Sequence, residues 1–294
     1  MPSDLSGLAV VDKEAGWTSH DVVAKARGVL GTRKIGHSGT LDPDATGVLL
    51  LGVGRVTRLL RYLGLTTKQY TGVVVLGSAT STLDASGEVT GQWDMSHVVL
   101  DDVRSAAAAL TGEILQVPPM VSAIQIDGRR LHELAREGIE VERAARPVTV
   151  HRFTVDAPTE PGCFPISVTC SSGTYIRSLA DDLGRALGGG AHLRDLRRTA
   201  IGSFTEAEAV ALEALNPEHL LTPAQAMRDL ASVTVDEALA ADVAHGKVLP
   251  EDVLGATGEG PWAVLGPEGA LLAVYEPHRP GTVKPGVVLA AAGS

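Results

Sequence analysis

The chain has 294 residues, 44% of them apolar but only 3% aromatic, so Val, Leu, Ile and Ala must fill a sizeable core, which excludes a disordered chain. No uncharged apolar run of eighteen residues occurs, and Met1-Pro2-Ser3-Asp4 has no basic, apolar leader, which predicts neither a membrane span nor a signal peptide. The net charge of −10 speaks against a nucleic-acid partner until its distribution is read: Glu206–Ser294 holds thirteen acids against four bases, while residues 1–205 hold 22 acids against 21 bases.

Along the chain, Gly7–Lys13 predicts a strand. Thr18 or Ser19 then caps a helix with Val22, Val23, Ala26, Val29 and Leu30 on one face, closed by Gly31. A Gly-flanked loop around Asp42 leads into the buried run Val48–Val53, a helix over Arg55–Leu63 and a strand over Lys68–Leu76. Asp101 is read as the cap of an Ala-rich helix ending at Leu110. After Pro118-Pro119, a charged excursion over Ile124–Arg152 carries a helix at Leu131–Arg136 and reads as a binding arm or as an ordinary surface helix. Strands at Val148–Val155 and Pro165–Cys170, a helix at Thr174–Leu187 and a strand over Ala191–Phe204 follow. This irregular alternation, with several adjacent strands, predicts an α+β fold and not a parallel βαβ series. From residue 231 to 294 the texture changes to one short helix, Glu237–Ala244, and β-like runs at Trp262–Leu265, Leu271–Tyr275 and Val287–Leu289. These predict a second, small β-rich domain after a larger first domain of residues 1–230, with the arm at about 120–152.

Cys163 and Cys170 lack partners at zinc-ligand spacing and read as free thiols of a cytoplasmic protein. Nineteen of the 25 bases are Arg, grouped as Arg55, Arg58 and Arg61; Arg129, Arg130 and Arg136; and Arg194, Arg197 and Arg198. Each group alone reads as a solvated face; together they are compatible with a local RNA-facing surface. The segment Gly36-His37-Ser38-Gly39-Thr40-Leu41-Asp42-Pro43-Asp44-Ala45 presents a short acid in a stiff loop, which suits a turn as well as a catalytic carboxylate.

Five stretches, in order, resemble the TruB family of bacterial tRNA pseudouridine-55 synthases over residues 7–205. They are Val11-Asp12-Lys13 to Gly16-Trp17-Thr18-Ser19; Gly36-His37 to Gly47; Lys68-Gln69-Tyr70 to Gly77; Val117-Pro118-Pro119-Met120 to Ser122-Ala123; and Cys170 to Arg177 with Asp181-Asp182-Leu183-Gly184 and Gly190-Ala191-His192-Leu193. The last sixty residues resemble, more loosely, a small RNA-binding domain of the PUA type. Three positions depart from the family pattern: Glu14, where Pro is usual, and Val121 and Gln125, where Tyr and Lys are common.

The resemblance implies the pseudouridine-synthase fold, a mixed, largely antiparallel sheet flanked by helices, and isomerisation of uridine 55 in the tRNA T-arm, by flipping the base, breaking C1′–N1 and rejoining through C5. It implies Asp42 as the essential carboxylate, acting on C1′ or on the 2′ proton, with Arg177 holding it charged and aimed. Tyr70 would stack on the uracil and shuttle the C5 proton, Tyr175 and the backbone at Leu196 would line the pocket, His37 would fill the space left by flipped bases, and Lys13 would brace the catalytic loop. No cofactor or metal, no membrane and no obligatory protein partner are implied, and a monomer is expected. Two other readings remain at this point. Asp42-Pro43-Asp44-Ala45-Thr46 fits the Asp-x-Asp-x-Thr pattern of haloacid-dehalogenase-type phosphotransferases, and the Arg groups alone suit a non-catalytic RNA-binding protein.

Overall fold

The computed structural model describes residues 5–122, 125–126, 128–139 and 141–289. Strand β1 (Gly7–Lys13) leads to helix α1 (Ser19–Val29) and the hairpin β2 (Ile35–Ser38) and β3 (Thr46–Val53). A 3-10 turn over Gly54–Leu59 runs into α2 (Leu60–Gly64), β4 (Lys68–Leu76), the hairpin β5 (Ser78–Thr80) and β6 (Val89–Gln92), α3 (Leu100–Ala109) and β7 (Gly112–Gln116). An excursion with β8 (Gln125–Ile126), β9 (Arg129–Arg130) and α4 (Leu131–Arg136) precedes β10 (Arg146–Val155) and β11 (Cys163–Cys170). Then come α5 (Ile176–Ala186), β12 (Ala191–Ile201), β13 (Phe204–Thr205), β14 (Val210–Ala211) and α6 (Pro223–Ala226). The last part holds β15 (Ala231–Thr234), α7 (Glu237–Ala244), β16 (Leu249–Pro250), α8 (Glu251–Leu254), β17 (Trp262–Leu265), β18 (Leu271–Pro277) and β19 (Thr282–Val288).

The large sheet has ten strands in the order β14-β1-β3-β12-β4-β11-β10-β7, with β2 on β3 and β13 on β12. Among the described residues of this sheet only β1–β14 and β3–β12 pair in parallel, so it is mixed and largely antiparallel, as expected. Its strands read differently because they are covered differently. β3 is apolar almost throughout because both faces are buried: Leu49 and Leu51 pack under Val22, Val23 and Ala26 of α1, while Val48 and Leu50 meet Val56, Leu59 and Leu63. β4 alternates because one face is open to water and the other packs Tyr70, Val74 and Leu76 against α3 and α5.

The five-stranded terminal sheet, β15-β17-β18-β19-β16, starts at Ala231 and has its own core around Trp262, Tyr275 and Val283. Its other face places Leu271, Val274 and Val287 in one cluster with Leu8, Val10 and Val48. The Arg55–Arg61 group serves this junction: Arg55 donates to the Leu289 carbonyl (3.0 Å), Arg58 to that of Val288 (2.7 Å), and Arg61 pairs with Glu276 (2.7 Å). Its cations therefore meet the acidic domain of the same chain.

Several local expectations shift for identifiable reasons. The turn before α2 stays 3-10 over Gly54–Leu59, where the Thr57 hydroxyl bonds back to the Gly54 carbonyl. The Ala-rich helix α3 begins at Leu100, and Asp102, not Asp101, accepts from the Val99 N–H. The helix α5 begins at Ile176 instead of Thr174, because the Gln116 amide bonds both the N–H and the carbonyl of Tyr175 and holds it extended. The excursion returns to the sheet at Arg146, so Arg146–Arg152 belongs to β10; Ile124 lies outside the described residues. The predicted single strand Ala191–Phe204 is β12 and β13 separated at Gly202, and short strands β2, β5–β7 and β15 carry no periodic signal.

Gly47 shows the tightest backbone requirement. It lies at φ +100°, and a Cβ there would stand 2.2 Å from the Arg198 carbonyl oxygen of the parallel strand β12. Gly47→Ala should therefore destabilise the chain by at least about 1–3 kcal/mol from backbone conformation alone, read as a lower urea midpoint; an unchanged midpoint would contradict this packing.

Candidate active site

The Asp42 loop connects β2 to β3 and is fastened from behind by β1 and α1. The Ser19 hydroxyl, at the start of α1, accepts from the Leu41 N–H (2.9 Å) and donates to the Leu41 carbonyl (3.2 Å). The Thr18 cap and its Asp21 partner set where that helix begins, so the cap also sets where Ser19 stands. The buried Lys13 ammonium and the Gly16 N–H both donate to the Pro43 carbonyl, at 2.8 and 2.9 Å. Leu41 and Ala45 are buried on either side of Asp42.

Arg177, on the first turn of α5, meets Asp42 in a two-point pair: Nε to Oδ2 at 2.9 Å and Nη2 to Oδ1 at 3.0 Å. The guanidinium also donates to the carbonyls of Thr82 (2.7 Å) and Val121 (2.9 Å) and lies 3.6 Å from Asp84. Only 4% of the Arg177 side chain is exposed against 37% for Asp42, so the cation is scaffold-held and the carboxylate is the member that faces the cavity. Burial pushes the Asp42 carboxyl above the ordinary aspartate range; the Arg177 charge opposes this and the Asp84 charge adds to it. Arg177 thus aims Asp42, while the loss of solvation outweighs it in setting the proton affinity.

Beside Asp42 is a cavity of about 250 Å³ lined by Leu41, Lys68, Tyr70, Tyr175, Leu196 and Arg198. Tyr70 reaches it from β4, where Lys68 and Tyr70 share the inward face. Burial raises the Tyr70 phenol, with the Arg198 guanidinium opposing the shift. Leu196 reaches it because β12 bulges between Arg194 and Arg197, with Asp195 at φ +56°. A second cavity of about 190 Å³ shares Asp42, Arg177 and Leu196 and is bounded by Pro43, Asp44, Asp84 and Val121. Sequence reasoning missed Asp84, whose carboxylate is held by the Thr82 and Ser86 hydroxyls (2.6 and 2.5 Å). The turn-rich run Ser81–Gly87 was its only signal.

The expected site residues therefore fall into two sets. Asp42, Tyr70, Arg177, Tyr175 and Leu196 surround one cavity, and Lys13 stands behind its loop with burial lowering its ammonium to about 8. His37 lies outside that cavity on β2, edge-on to His20 with ring centroids 5.3 Å apart. Its Nδ1 is buried without a hydrogen-bond partner, and burial lowers its pKa. Of the third Arg group, Arg197 pairs with Asp12 and Glu206, and Arg194 with Asp195 and Glu160; Arg198 is buried. Both Asp42 oxygens accept from a fixed guanidinium, an arrangement unlike the cation-binding aspartate pair that the phosphotransferase pattern requires.

The architecture is that of the pseudouridine synthases. Superposition on a chain of a Cbf5-Nop10-Gar1 complex gives a TM-score of 0.76 at 25% identity, covering 98% of this chain and 86% of that one. Residues 27–176 match the N-terminal domain model of the TruB family pseudouridylate synthases, and residues 177–239 match the tRNA pseudouridylate synthase B C-terminal domain. Proteins named tRNA pseudouridine synthase B from Streptomyces coelicolor (49% identical; 93% of this chain, 94% of that protein) and Arthrobacter sp. (47%; 97% of each) align over nearly the full length. That from Nocardia farcinica is 57% identical over 73% of this chain and 71% of its own. The chain belongs to the TruB family of pseudouridine synthases, and is an isomerase.

With Asp84 on the far side of Arg177, removing the guanidinium should leave two neighbouring carboxylates uncompensated. Arg177→Met should accordingly move the Asp42 carboxyl further up, followed by carbon-13 NMR titration of labelled aspartate. A downward or absent move would contradict the pairing.

Proposed function

We propose that this chain converts uridine 55 in the T-loop of tRNA to pseudouridine, with Asp42 as its essential carboxylate. What supports the substrate class is the printed name of its relatives, tRNA pseudouridine synthase B. What supports the chemistry is one arrangement: a carboxylate with both oxygens on Arg177, facing a cavity that Tyr70 also lines.

A uridine in a folded RNA loop has to leave its stack to enter such a cavity. Once there, the ring lies against Tyr70 and Leu196, and the sugar carbon is presented to Asp42. Breaking C1′–N1 gives the sugar oxocarbenium character, which a nearby carboxylate stabilises, by adding to C1′ or by taking the 2′ proton. The detached uracil turns and rejoins through C5; Tyr70 handles the proton that C5 gives up. Water must be kept from the open sugar, and Leu41, Tyr70, Ile176 and Leu196 supply the apolar part of the cavity wall. His37, with an unpartnered ring nitrogen close to the loop, is the group that meets the RNA around the displaced base. Lys13 acts on catalysis through the Pro43 carbonyl. The arm reports to the same centre, since the Val121 carbonyl at its root accepts from Arg177. The chain acts as a monomer, without cofactor or protein partner, in the cytoplasm; among the described residues no helix is long and apolar enough to cross a membrane. The catalytic unit is residues 1–230, and the PUA-like unit is 231–294.

The test is single-turnover pseudouridine formation on an unmodified tRNA transcript with metal chelated. The native chain should modify the T-loop uridine, and Asp42→Asn should lose about 10⁴-fold or more in rate while still binding the tRNA. Equal rates for the two proteins would remove Asp42 from the mechanism.

A further inference from the structure

The wall behind Tyr70 carries charge that the proposed mechanism does not use. Arg198 is fully buried at 0% exposure, yet its hydrogen bonds run to neutral carbonyls: Nε to Val48 (2.7 Å), Nη2 to Gly39 (3.1 Å) and Nη1 to Thr40 (3.4 Å). Among the described residues no carboxylate pairs with it. A second buried cation, Lys68, lies within its electrostatic reach and also bonds only carbonyls, those of Gly64 (3.0 Å) and Thr66 (3.1 Å). Two buried cations without an acid partner are costly, and such a cluster is stabilised when negative charge develops beside it.

The position of Arg198 decides where that charge arises. Arg198 borders the cavity, but with no exposed surface it offers a base nothing to contact, so it acts through a neighbour. Its register partners are Tyr70 on β4 and Gly47 on β3, and Arg198 and Tyr70 border the same cavity. The charged and titratable groups around that phenol are Arg198, Cys170 and Asp42. Of these only Arg198 favours an anion there.

We propose that Arg198 is a positioning residue for proton transfer: held by the Gly39–Thr40 backbone that leads to Asp42, and facing Tyr70 across the β4–β12 register, it stabilises Tyr70 as phenolate during the reaction. This rests on the role given to Tyr70 above. The balance closes without another reactant. Across the isomerisation N1 gains one proton and C5 loses one. The phenol proton passes to the detached uracil, which holds the electron pair of the broken C1′–N1 bond and ends protonated at N1. After C1′–C5 bond formation the C5–H bond breaks toward the Tyr70 oxygen, its electron pair restores the C5–C6 double bond, and the phenol is regenerated.

The experiment is single-turnover kinetics of the full chain on a T-arm stem-loop with hydrogen or deuterium at C5 of the target uridine. Arg198→Met should lose about 10²-fold in rate, keep RNA affinity, and show a larger C5 isotope effect than the native chain. A slower Arg198→Met enzyme with the native isotope effect would make Arg198 a structural tie only, overturning the proposal. Arg198→Lys retains a cation and guards against a Met variant that does not fold. A buried lysine gives up its proton far more readily than an arginine, as burial lowers the neighbouring Lys68, so this variant should gain an alkaline fall in rate that the native chain lacks. An alkaline profile like that of the native chain would overturn the proposal. Absence of pseudouridine from the native chain would instead reject the reaction itself.

Discussion

Everything in the site depends on a two-point ion pair between residues 135 positions apart, Asp42 and Arg177. A bidentate guanidinium fixes both direction and distance, which a lysine's point charge would not. The pair also joins separate parts of the chain. Asp42 stands on the β2–β3 loop and Arg177 on α5, and the same guanidinium reaches the Thr82 carbonyl after β5 and the Val121 carbonyl at the root of the arm. One cation thus makes the position of the carboxylate answer to the loops that border the cavity.

The rest of the fold serves to hold the two ends of that pair still. Double burial of β1 and β3 makes the strand under the catalytic loop rigid, and Lys13 and Ser19 pass that rigidity to Pro43 and Leu41. On the other side, Gln116 fixes the backbone of Tyr175 and so the first turn of α5. Most of the arginines that suggested an RNA surface are occupied within the protein. Arg55, Arg58 and Arg61 hold the acidic terminal sheet, and Arg194 and Arg197 pair with carboxylates near the cavity. A net negative chain can therefore belong to a family of RNA-modifying enzymes, because charge matters by where it lies.

Elements with strong local signals were legible in the sequence. The Thr18-capped helix, the apolar run of β3, the alternating β4 and the Asp42 loop all follow from spacing and composition. The resemblance picked out Tyr70, Arg177, Tyr175 and Leu196 around one cavity. What stayed hidden depends on contacts between distant segments. Asp84 sits in a run that reads as an ordinary turn, and only folding brings it to Arg177. Arg198 looks like one member of a basic strand face, until the register of β12 between β3 and β4 turns it inward. The bulge that turns Leu196 toward the cavity and the later start of α5 likewise have tertiary causes. Local chemistry predicted the elements, and long-range register decided which side chains share a site.

The most direct measurement is a structure of this chain bound to a T-arm stem-loop carrying 5-fluorouridine at the target position. The account predicts the base flipped into the cavity between Asp42 and Tyr70, its ring against Tyr70 and its C1′ within about 3.5 Å of an Asp42 oxygen. A base in the neighbouring cavity beside Asp84 and Pro43, out of reach of Tyr70, would contradict it.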